Sequence, residues 1–340
     1  MVVQEGKEIT MPTALEQSLF KTLAYFAFFS FPLTVLELWK WCDAVDVSLF
    51  DIESILSSSF AKASDDKSSW LVEQGMKDSE GFFGIGDVSD WREERLQRVT
   101  DALRKHRRAE RFVRFASCLP WVRMIAVCNS LAFSFTNDES DIDLFVVTKR
   151  GRIWSTRFIL TGVLALFRLR PGERKRDPLC LSFFVADDSL DFSSIKIGQD
   201  DPYLAFWIAT LSPVFDPDDV LSKLRAANGW IRQSLPRAKR VQRARSSMIR
   251  LIMKLPDVSF FERFAERMQR NRFPALLRGM MNSDTRVVVT DGMLKFHHND
   301  RRQEILNAYE KMVFYSLGQL DDTFPIADGV PLAVANAMDV

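Results

Sequence analysis

Two apolar segments joined by a polar turn, within residues 125–148, constrain the fold of this chain more than any other part of the sequence. The first segment ends at Cys128 and is followed directly by Asn129 and Ser130. The second begins at Asp141 and has the sequence DIDLFVV. Short apolar runs bounded by turn residues are typical of strands that are buried in a sheet. The sequence therefore predicts two buried strands, over residues 121–128 and 142–148, with a polar connection between them.

Strands and helices alternate around this segment. A helix is predicted over residues 152–168 and another strand over 179–185. We expect a mixed sheet flanked by helices, of the α+β or α/β class, in a domain over residues 101–235. Residues 236–340 predict a mainly helical C-terminal region with a small amount of strand. The chain has 340 residues, 47% of them hydrophobic, which is enough for two or three folded domains and excludes a disordered linker protein.

The second strand carries the residues with the clearest chemistry. Side chains alternate along a strand, so Asp141 and Asp143 are expected on one face, about 6 to 7 Å apart. Carboxylates on a buried strand stay charged only with a cation or several donors nearby. Mg²⁺ (or Mn²⁺) fits, because one or two carboxylates commonly hold magnesium together with substrate phosphates. The turn at Asn129 and Ser130 offers N–H groups and a hydroxyl to those phosphates. The alternative is a polar loop whose aspartates end the strand in water.

This arrangement resembles the nucleotidyltransferase-fold superfamily, which includes polymerase-beta-like and minimal nucleotidyltransferases. The family pattern is an apolar residue, Gly, then Gly or Ser, a variable spacer, and Asp-x-Asp or Asp-x-Glu between apolar residues. The segments VCNS and DIDL follow that pattern, except that Asn129 stands in place of the glycine. The resemblance implies an NTP such as ATP as substrate and Mg²⁺ held by catalytic Asp141 and Asp143. It also implies that Asn129 and Ser130 bind the phosphates.

The resemblance further implies a third carboxylate on a later strand, where it helps to hold metal and accepts the proton of the attacking hydroxyl. Strand 179–185 reads LCLSFFV, and Ser182 is its only oxygen-bearing side chain. Asp188 lies just past the strand and is a candidate substitute. Lys149 and Arg152 follow the Asp-x-Asp strand and are candidates for binding the triphosphate, with a solvated turn as the alternative. We expect slow or absent transfer if no carboxylate reaches the position of Ser182.

Histidine and cysteine carry weaker signals. His297 and His298 lack an acidic or histidine partner at ligand spacing, so an exposed pair is expected rather than a metal site. Cys128 adjoins the turn, but no base is nearby in sequence, so a small buried residue is expected. The scattered positions of all four cysteines predict neither a disulfide scaffold nor a structural zinc site.

Residues 1–100 have a pattern of helices followed by two short strands, which resembles the order of a winged-helix domain. The third helix of such domains reads DNA. Here that segment carries Asp46, Asp51 and Glu53 and no basic residue, which would repel phosphate. The pattern therefore favours a scaffold or protein-contact role. The predicted helices are 14–31, 34–42 and 49–60, and the predicted strands are 70–72 and 81–85.

Charge is segregated along the chain although the net charge is only +1. Residues 231–280 contain 13 Lys and Arg against 3 acids, whereas residues 177–219 contain nine Asp against one Lys. The basic segment 232–278 is expected to contact either a polyanion or the acidic segment 177–219, or else to be a solvated surface. The N-terminal sequence is unlike a secretory signal, and the two longest apolar stretches contain charges or proline. We expect a cytoplasmic protein with no membrane partner.

Three functions are compatible with the sequence. The first is a Mg²⁺-dependent nucleotidyltransferase that transfers a nucleotidyl group from an NTP to a hydroxyl acceptor, which is RNA, protein or a small molecule. The second is a non-catalytic protein of the same fold for nucleotide sensing or partner binding. The third is a winged-helix DNA-binding regulator. Position 182 separates the first two, and the acidic third helix weighs against the last.

Overall fold

The computed structural model describes residues 11–63, 69–238 and 259–318. These residues divide into two compact units. The first contains residues 11–63, 69–96, 232–238 and 304–318, and the second contains 97–231 and 259–303. Residues 239–258, which carry much of the predicted basic segment 232–278, lie outside the described part of the chain.

The first unit combines helices with a small antiparallel sheet. The sheet has the strand order β1–β3–β2, with Leu33 opposite Phe83 and Met76 opposite Ile85. The next helix, α5 (Val88–Ala116), begins in this unit. The preceding elements are α1 (Ala14–Ala27), β1 (Leu33–Thr34), α2 (Val35–Trp41), α3 (Leu49–Ala63), α4 (Trp70–Glu73), β2 (Met76–Ser79) and β3 (Phe82–Ile85).

Local capping sets the helix boundaries of this unit. Thr13 and Thr34 each form a capping box with the glutamate three residues later, which satisfies backbone N–H groups at the start of α1 and α2. Helix α1 ends at Ala27 rather than near Phe31, because Ser30 adopts a left-handed conformation with φ of 50°. The three predicted helices are thus present, and the first is shorter than predicted.

The predicted strand 70–72 is instead the short helix α4. Ser69 caps this helix by accepting a hydrogen bond from the backbone N–H of Val72 at 3.5 Å. The hairpin is formed by β2 and β3, in which Met76 pairs with Ile85. A three-residue apolar run fits a buried helix as well as a strand, so periodicity could not separate the two.

The second unit is built around a mixed sheet of six strands in the order β7–β4–β5–β6–β9–β8. Strands β5 and β6 are parallel, and the other neighbouring pairs are antiparallel. Helices and mixed sheet together confirm a mixed α and β class. The elements are β4 (Val122–Val127), α6 (Asn129–Ala132), β5 (Ile142–Thr148), α7 (Ile153–Leu166), β6 (Leu179–Ala186), α8 (Pro202–Thr210), β7 (Ser212–Phe215), α9 (Val220–Ala227), α11 (Ser259–Asn271), α12 (Ala275–Met280), β8 (Val287–Val289) and β9 (Met293–Phe296). Helices α10 (Ile231–Ser234) and α13 (Arg302–Ser316) begin in this unit, but most of their residues belong to the first unit.

Both faces of strand β5 are covered, which explains its continuous apolar sequence. Leu144 and Val146 lie in the main core together with Leu164 of α7. Phe145 points to the opposite face, where its ring centroid lies 5.1 Å from that of Phe183 and 5.3 Å from that of Trp207. The face that carries Phe145 is the face on which the candidate site lies.

Strands β8 and β9 belong to the sheet of the second unit, although their residues were predicted within the mainly helical region 236–340. Strand β9 pairs with β6, with Lys295 opposite Phe183, and β8 pairs with β9. This pairing brings residues near position 296 beside the strand that carries Ser182. Sequence separation hides such a contact, because β6 and β9 are joined through long intervening segments.

Residues 220–234 form two helices, α9 and α10, rather than one. Asn228 lies between them and is fully buried. Its Oδ1 accepts a hydrogen bond from the backbone N–H of Phe192 at 2.8 Å, and its Nδ2 donates to the carbonyl of Leu190 at 2.7 Å. The amide thus ties the helix break to the loop after β6. Across the described ranges, no helix combines the length and the apolar composition needed to cross a bilayer.

Candidate functional site

The turn after β4 places Asn129 in the left-handed region, with φ of 55°. This conformation suits glycine best, and asparagine tolerates it better than most other residues. The side chain of Asn129 is buried, and its Oδ1 accepts a hydrogen bond from Trp207 Nε1 at 2.9 Å. Ser130 is buried beside it, and its backbone carbonyl accepts from Phe135 N–H at 3.0 Å. Asn129 therefore adopts a backbone conformation that favours glycine and forms a hydrogen bond with α8.

Asp143 and Asp141 lie at the start of β5, next to this turn. The backbone N–H of Cys128 donates to the carbonyl of Asp143 at 3.2 Å, which joins the turn to the strand. Asp143 is only 6% exposed, and Asp141, one residue before the strand, is half-buried. Burial raises the pKa of the Cys180 thiol, and the charges of Asp143 and Asp141 raise it further. The charges of both carboxylates are therefore felt at Cys180 on β6.

The neighbouring strand β6 contains a β-bulge opposite the carboxylates. Asp143 pairs with Cys180 and Phe145 pairs with Phe183, so β6 has one more residue than β5 in this interval. Bulges are common beside active sites, where they redirect a side chain. Ser182 lies within the bulge, and its Oγ is 3.0 Å from Nε2 of His297. The third-ligand position of the predicted site is thus a serine paired with a histidine.

His297 was predicted to be exposed together with His298, but the structure makes it half-buried beside Ser182. It follows β9, and its ring lies 5.9 Å from that of Phe183 in an edge-to-face arrangement. Burial lowers the pKa of His297 to about 3, and the charge of Lys295 adds to this effect. The imidazole is therefore neutral at neutral pH and a weak base. His298, in contrast, is exposed as predicted.

Both cysteines of the site are held as thiols. Cys128 is buried, and burial raises its pKa, with a further increase from the charge of Asp143. Cys180 is half-buried, and its pKa is raised for the same two reasons. A protonated thiol is a poor nucleophile and a poor metal ligand. The oxygen side chains, rather than the sulfurs, are the groups available for chemistry here.

A small cavity adjoins Asn129 and His297. Its volume is about 20 Å³, which is room for about one water molecule. Tyr203 and Trp207 of α8 form part of its wall, together with Phe183. A nucleoside triphosphate does not fit in this volume. Any nucleotide bound at the turn would therefore have to lie outside this cavity.

A buried ionic network lies on the far wall of this cavity. Lys295 Nζ is 2.9 Å from Asp300, and Arg302 bridges Asp300 at 2.9 Å to Asp201 at 3.0 Å. Burial lowers the pKa of Lys295 to about 8 against the opposing effect of Asp300. Burial raises the pKa of Asp300, but Lys295 and Arg302 more than offset this, and the net pKa is lowered. Lys295 and Arg302 are each paired with a carboxylate, so these ion pairs stabilise the wall of the cavity.

Helix α5 holds the loop before β5 in place. Lys105 is fully buried and donates a hydrogen bond to the backbone carbonyl of Ser140, the residue before Asp141. Asp177, at the start of β6, accepts hydrogen bonds from Arg104 at 2.9 and 3.1 Å. Burial raises the pKa of Asp177, but the contacts with Arg104 outweigh it and lower the pKa overall. These contacts hold Asp141 in place.

Three predicted site residues lie at the wrong end of the sheet. Lys149 is six positions after Asp143, and strand geometry of about 3.3 Å per residue separates them by about 20 Å. Arg152 follows Lys149, and its guanidinium carbon lies 5.6 Å from the centroid of the Trp121 ring. Asp188 follows the end of β6, which runs parallel to β5, and forms an ion pair with Arg150 at 3.1 Å. These residues do not reach the predicted triphosphate site or the predicted position of a third metal ligand, because the length of a whole strand separates them from Asp143.

The carboxylates of Asp141 and Asp143 are the candidate metal ligands of this site. In the described part of the chain, no group of three or more His, Cys, Asp or Glu side chains is arranged to hold a metal. Asp141 and Asp143 alone fit Mg²⁺, which commonly binds one or two carboxylates and completes its coordination with water and phosphate oxygens. They do not form a complete protein cage. The site is therefore suited to a metal that arrives with a phosphate ligand.

No family model, no curated protein and no solved structure matches this chain.

Proposed function

We propose that the second unit is a nucleotidyltransferase-type domain that binds an NTP together with Mg²⁺. The observation that carries this proposal is the placement of Asp141 and Asp143 at the start of β5, joined by a backbone hydrogen bond to the turn of Asn129 and Ser130. That turn and those carboxylates have the order and spacing of the superfamily pattern. The mixed sheet supports the proposal at the level of fold class.

In this proposal each residue has a defined task. Asp141 and Asp143 hold the metal, and the Asn129–Ser130 turn positions the phosphates through backbone N–H groups and the serine hydroxyl. When bound, Mg²⁺ neutralises phosphate charge and stabilises the charge that develops on the leaving pyrophosphate. The acceptor hydroxyl attacks the α-phosphorus, the bond to the β-phosphate oxygen breaks, and pyrophosphate leaves. Positioning by the fold supplies much of the rate in such reactions.

The proton of the acceptor hydroxyl has no good base in this site. In the third position stands Ser182, whose partner His297 has a pKa of about 3 and is a weak base. We therefore propose slow transfer, and this observation favours a second candidate function: a nucleotide-binding protein of the same fold that senses rather than transfers. The acceptor, whether RNA, protein or a small molecule, is set by surfaces outside these residues.

For the first unit we propose a winged-helix-like domain with a protein-contact role. Four helices precede the β2–β3 hairpin, and the third of them begins with a segment that contains Asp51 and Glu53. The Ser48 hydroxyl and backbone N–H both donate to Asp51, and these contacts lower the pKa of Asp51, which keeps it charged. We expect no salt-sensitive binding of duplex DNA. A steep loss of affinity with added salt in a gel-shift titration of the full chain would instead favour a DNA-binding regulator.

Calorimetry tests the proposed nucleotide site. ATP with Mg²⁺ is titrated into the wild type and into the double variant Asp141→Asn/Asp143→Asn. Asp188→Asn is the matched control, because this carboxylate lies at the other end of the sheet. We expect binding that depends on Mg²⁺, that is lost in the double variant and that is unchanged in the control. Equal affinity of the wild type and the double variant for ATP would contradict the proposal.

A further inference from the structure

A second and much larger cavity lies on the helical side of the sheet. Its volume is about 520 Å³, within the range of about 300 to 1,000 Å³ that is usual for small-molecule sites. Helix α7, the start of β6 and helices α11 and α12 enclose it. Its walls are mainly apolar and include Phe158, Leu181, Phe273 and Leu277.

The polar groups of this cavity are mostly cationic. Arg157, Arg170 and Arg272 all contribute to its lining. Arg170 is paired with Glu173 at 2.6 Å. Arg157 and Arg272 form no ion pair with any carboxylate in the described ranges. An apolar chamber with two unmatched guanidinium groups has a net positive charge.

Arg157 is the most unusual of these residues. Its side chain donates a hydrogen bond to Gln269 Oε1 at 2.6 Å and lies over the Phe296 ring at 4.5 Å. Its Nε atom is buried and has no hydrogen-bond partner among the described residues. Burial, together with the charge of Arg170, lowers the pKa of Arg157 to about 10. A half-buried cation without a carboxylate partner is costly, and an anion beside the guanidinium group would reduce that cost.

Gly162 lies in the middle of α7, is exposed and lines the cavity, so no side chain narrows the cavity at this position. A Cβ built there meets no atom within 4 Å, which leaves room for a larger residue. Glycine in the interior of a helix is less favourable than alanine by about 1 kcal/mol.

We propose that this cavity is a binding site for a small anion with an apolar body, with its negative head at Arg157 and Arg272 and its body against Phe158, Leu181 and Phe273. The proposal goes beyond the nucleotide site and does not depend on it. Shape, apolar walls and unmatched cations together select this ligand class. A purely apolar ligand leaves the two arginines unmatched, and a compact ion leaves the apolar walls uncovered.

Octanoate is a suitable probe, with 1-octanol as the control for the apolar body and acetate as the control for the charged head. Binding is measured by ligand-observed NMR titration of the full chain. Gly162→Phe adds a large side chain to the lining of the cavity, and Gly279→Phe is its matched control, because both are exposed helical glycines and Gly279 does not line the cavity. Arg272→Gln removes one unmatched cation, and Arg278→Gln is its control on the outer surface of α12.

We expect octanoate to bind more tightly than 1-octanol and acetate. Gly162→Phe should abolish the binding and Gly279→Phe should not. Arg272→Gln should weaken it by about three- to fivefold, as for a partly exposed ion pair, with no effect of Arg278→Gln. Equal binding of octanoate and 1-octanol, no binding of octanoate, or an unchanged affinity in Gly162→Phe would overturn the proposal. Should Gly162→Phe fail to fold by circular dichroism, the comparison of Arg272→Gln with Arg278→Gln decides. Asp141→Asn/Asp143→Asn should leave octanoate binding unchanged, so this result is independent of the nucleotide site.

Discussion

Ser182 Oγ lies 3.0 Å from His297 Nε2, within the bulge of β6 that faces Asp143. This pair occupies the position where the superfamily pattern implies a third carboxylate. A hydroxyl and a neutral imidazole bring no negative charge to a cation. The contact thus supports the part of the proposal that concerns slow transfer, because neither side chain is a strong base at neutral pH.

Introducing a carboxylate at this position should restore the missing function. We expect Ser182→Asp to tighten Mn²⁺ binding and to raise transfer from labelled ATP, by up to about 10² to 10⁴ if the new group acts as a general base. Ser194→Asp, on an exposed turn, controls for the added charge. Mn²⁺ titration followed by electron paramagnetic resonance measures the first effect. No change in Mn²⁺ affinity would show that position 182 does not face the metal.

The hydrogen bond between Asn129 and Trp207 should stabilise the turn. Asn129→Gly keeps the left-handed backbone but leaves the buried indole N–H without its partner, which should cost about 1 to 3 kcal/mol of unfolding free energy. Trp207→Phe removes the hydrogen-bond donor, the indole N–H, instead of the acceptor. A double-mutant cycle by urea denaturation should show a coupling between the two changes. Strictly additive losses would mean that the hydrogen bond contributes nothing.

His297 should make stability depend on pH in the acidic range. Its pKa is lowered to about 3 in the folded chain, so the unfolded chain binds the extra proton between about pH 6.5 and 3. Stability should therefore fall as the pH decreases through this window, by about 1.4 kcal/mol at pH 5.5. His297→Gln should remove this component, and the exposed His298→Gln should not. An NMR titration that gives His297 an ordinary pKa near 6.5 would contradict the burial argument.

Asp177 should stabilise the second unit at neutral pH. Its pKa is lowered from 3.8, so its contribution is present above pH 3.8 and is lost as the pH falls through the lower folded value. We expect Asp177→Asn to reduce the unfolding free energy by about 1 to 3 kcal/mol at pH 7. The loss is not larger because Arg104 is partly exposed and water weakens the ion pair. Asp138→Asn removes a more exposed partner of Arg104 and should cost less than about 1 kcal/mol. Equal losses in the two variants would show that burial of Asp177 is unimportant.

Local patterns predicted much of the second unit because they are set by neighbouring residues. Strand 142–148 was predicted at its observed boundaries, since its apolar run is long and bounded by polar turns on both sides. Short segments were less secure, as the helix at Trp70 shows. Residues close in sequence were also assumed to be close in space. That assumption failed for Lys149 and Asp188, because a strand carries the chain about 3.3 Å further with every residue.

The remaining parts of the site depend on long-range pairing. His297 is 115 residues from Ser182 in the chain, and only the pairing of β6 with β9 brings them together. No local pattern around His297 indicates that contact. One signal was present: a lysine within the apolar strand sequence MLKF predicts a buried charge that needs a partner, and Lys295 is indeed paired with Asp300. Such interruptions of an apolar strand are worth examining in other sequences.

The central claim is that Asp141 and Asp143 together hold a divalent metal that arrives with an NTP. A crystal structure of the full chain with Mn²⁺ and a non-hydrolysable ATP analogue tests this most directly, because manganese is located by its anomalous scattering. We predict one anomalous peak within about 2.5 Å of carboxylate oxygens of both aspartates, with the phosphates at the Asn129–Ser130 turn. A bound analogue whose phosphates lie elsewhere, or clear density with no manganese at this pair, would contradict the account.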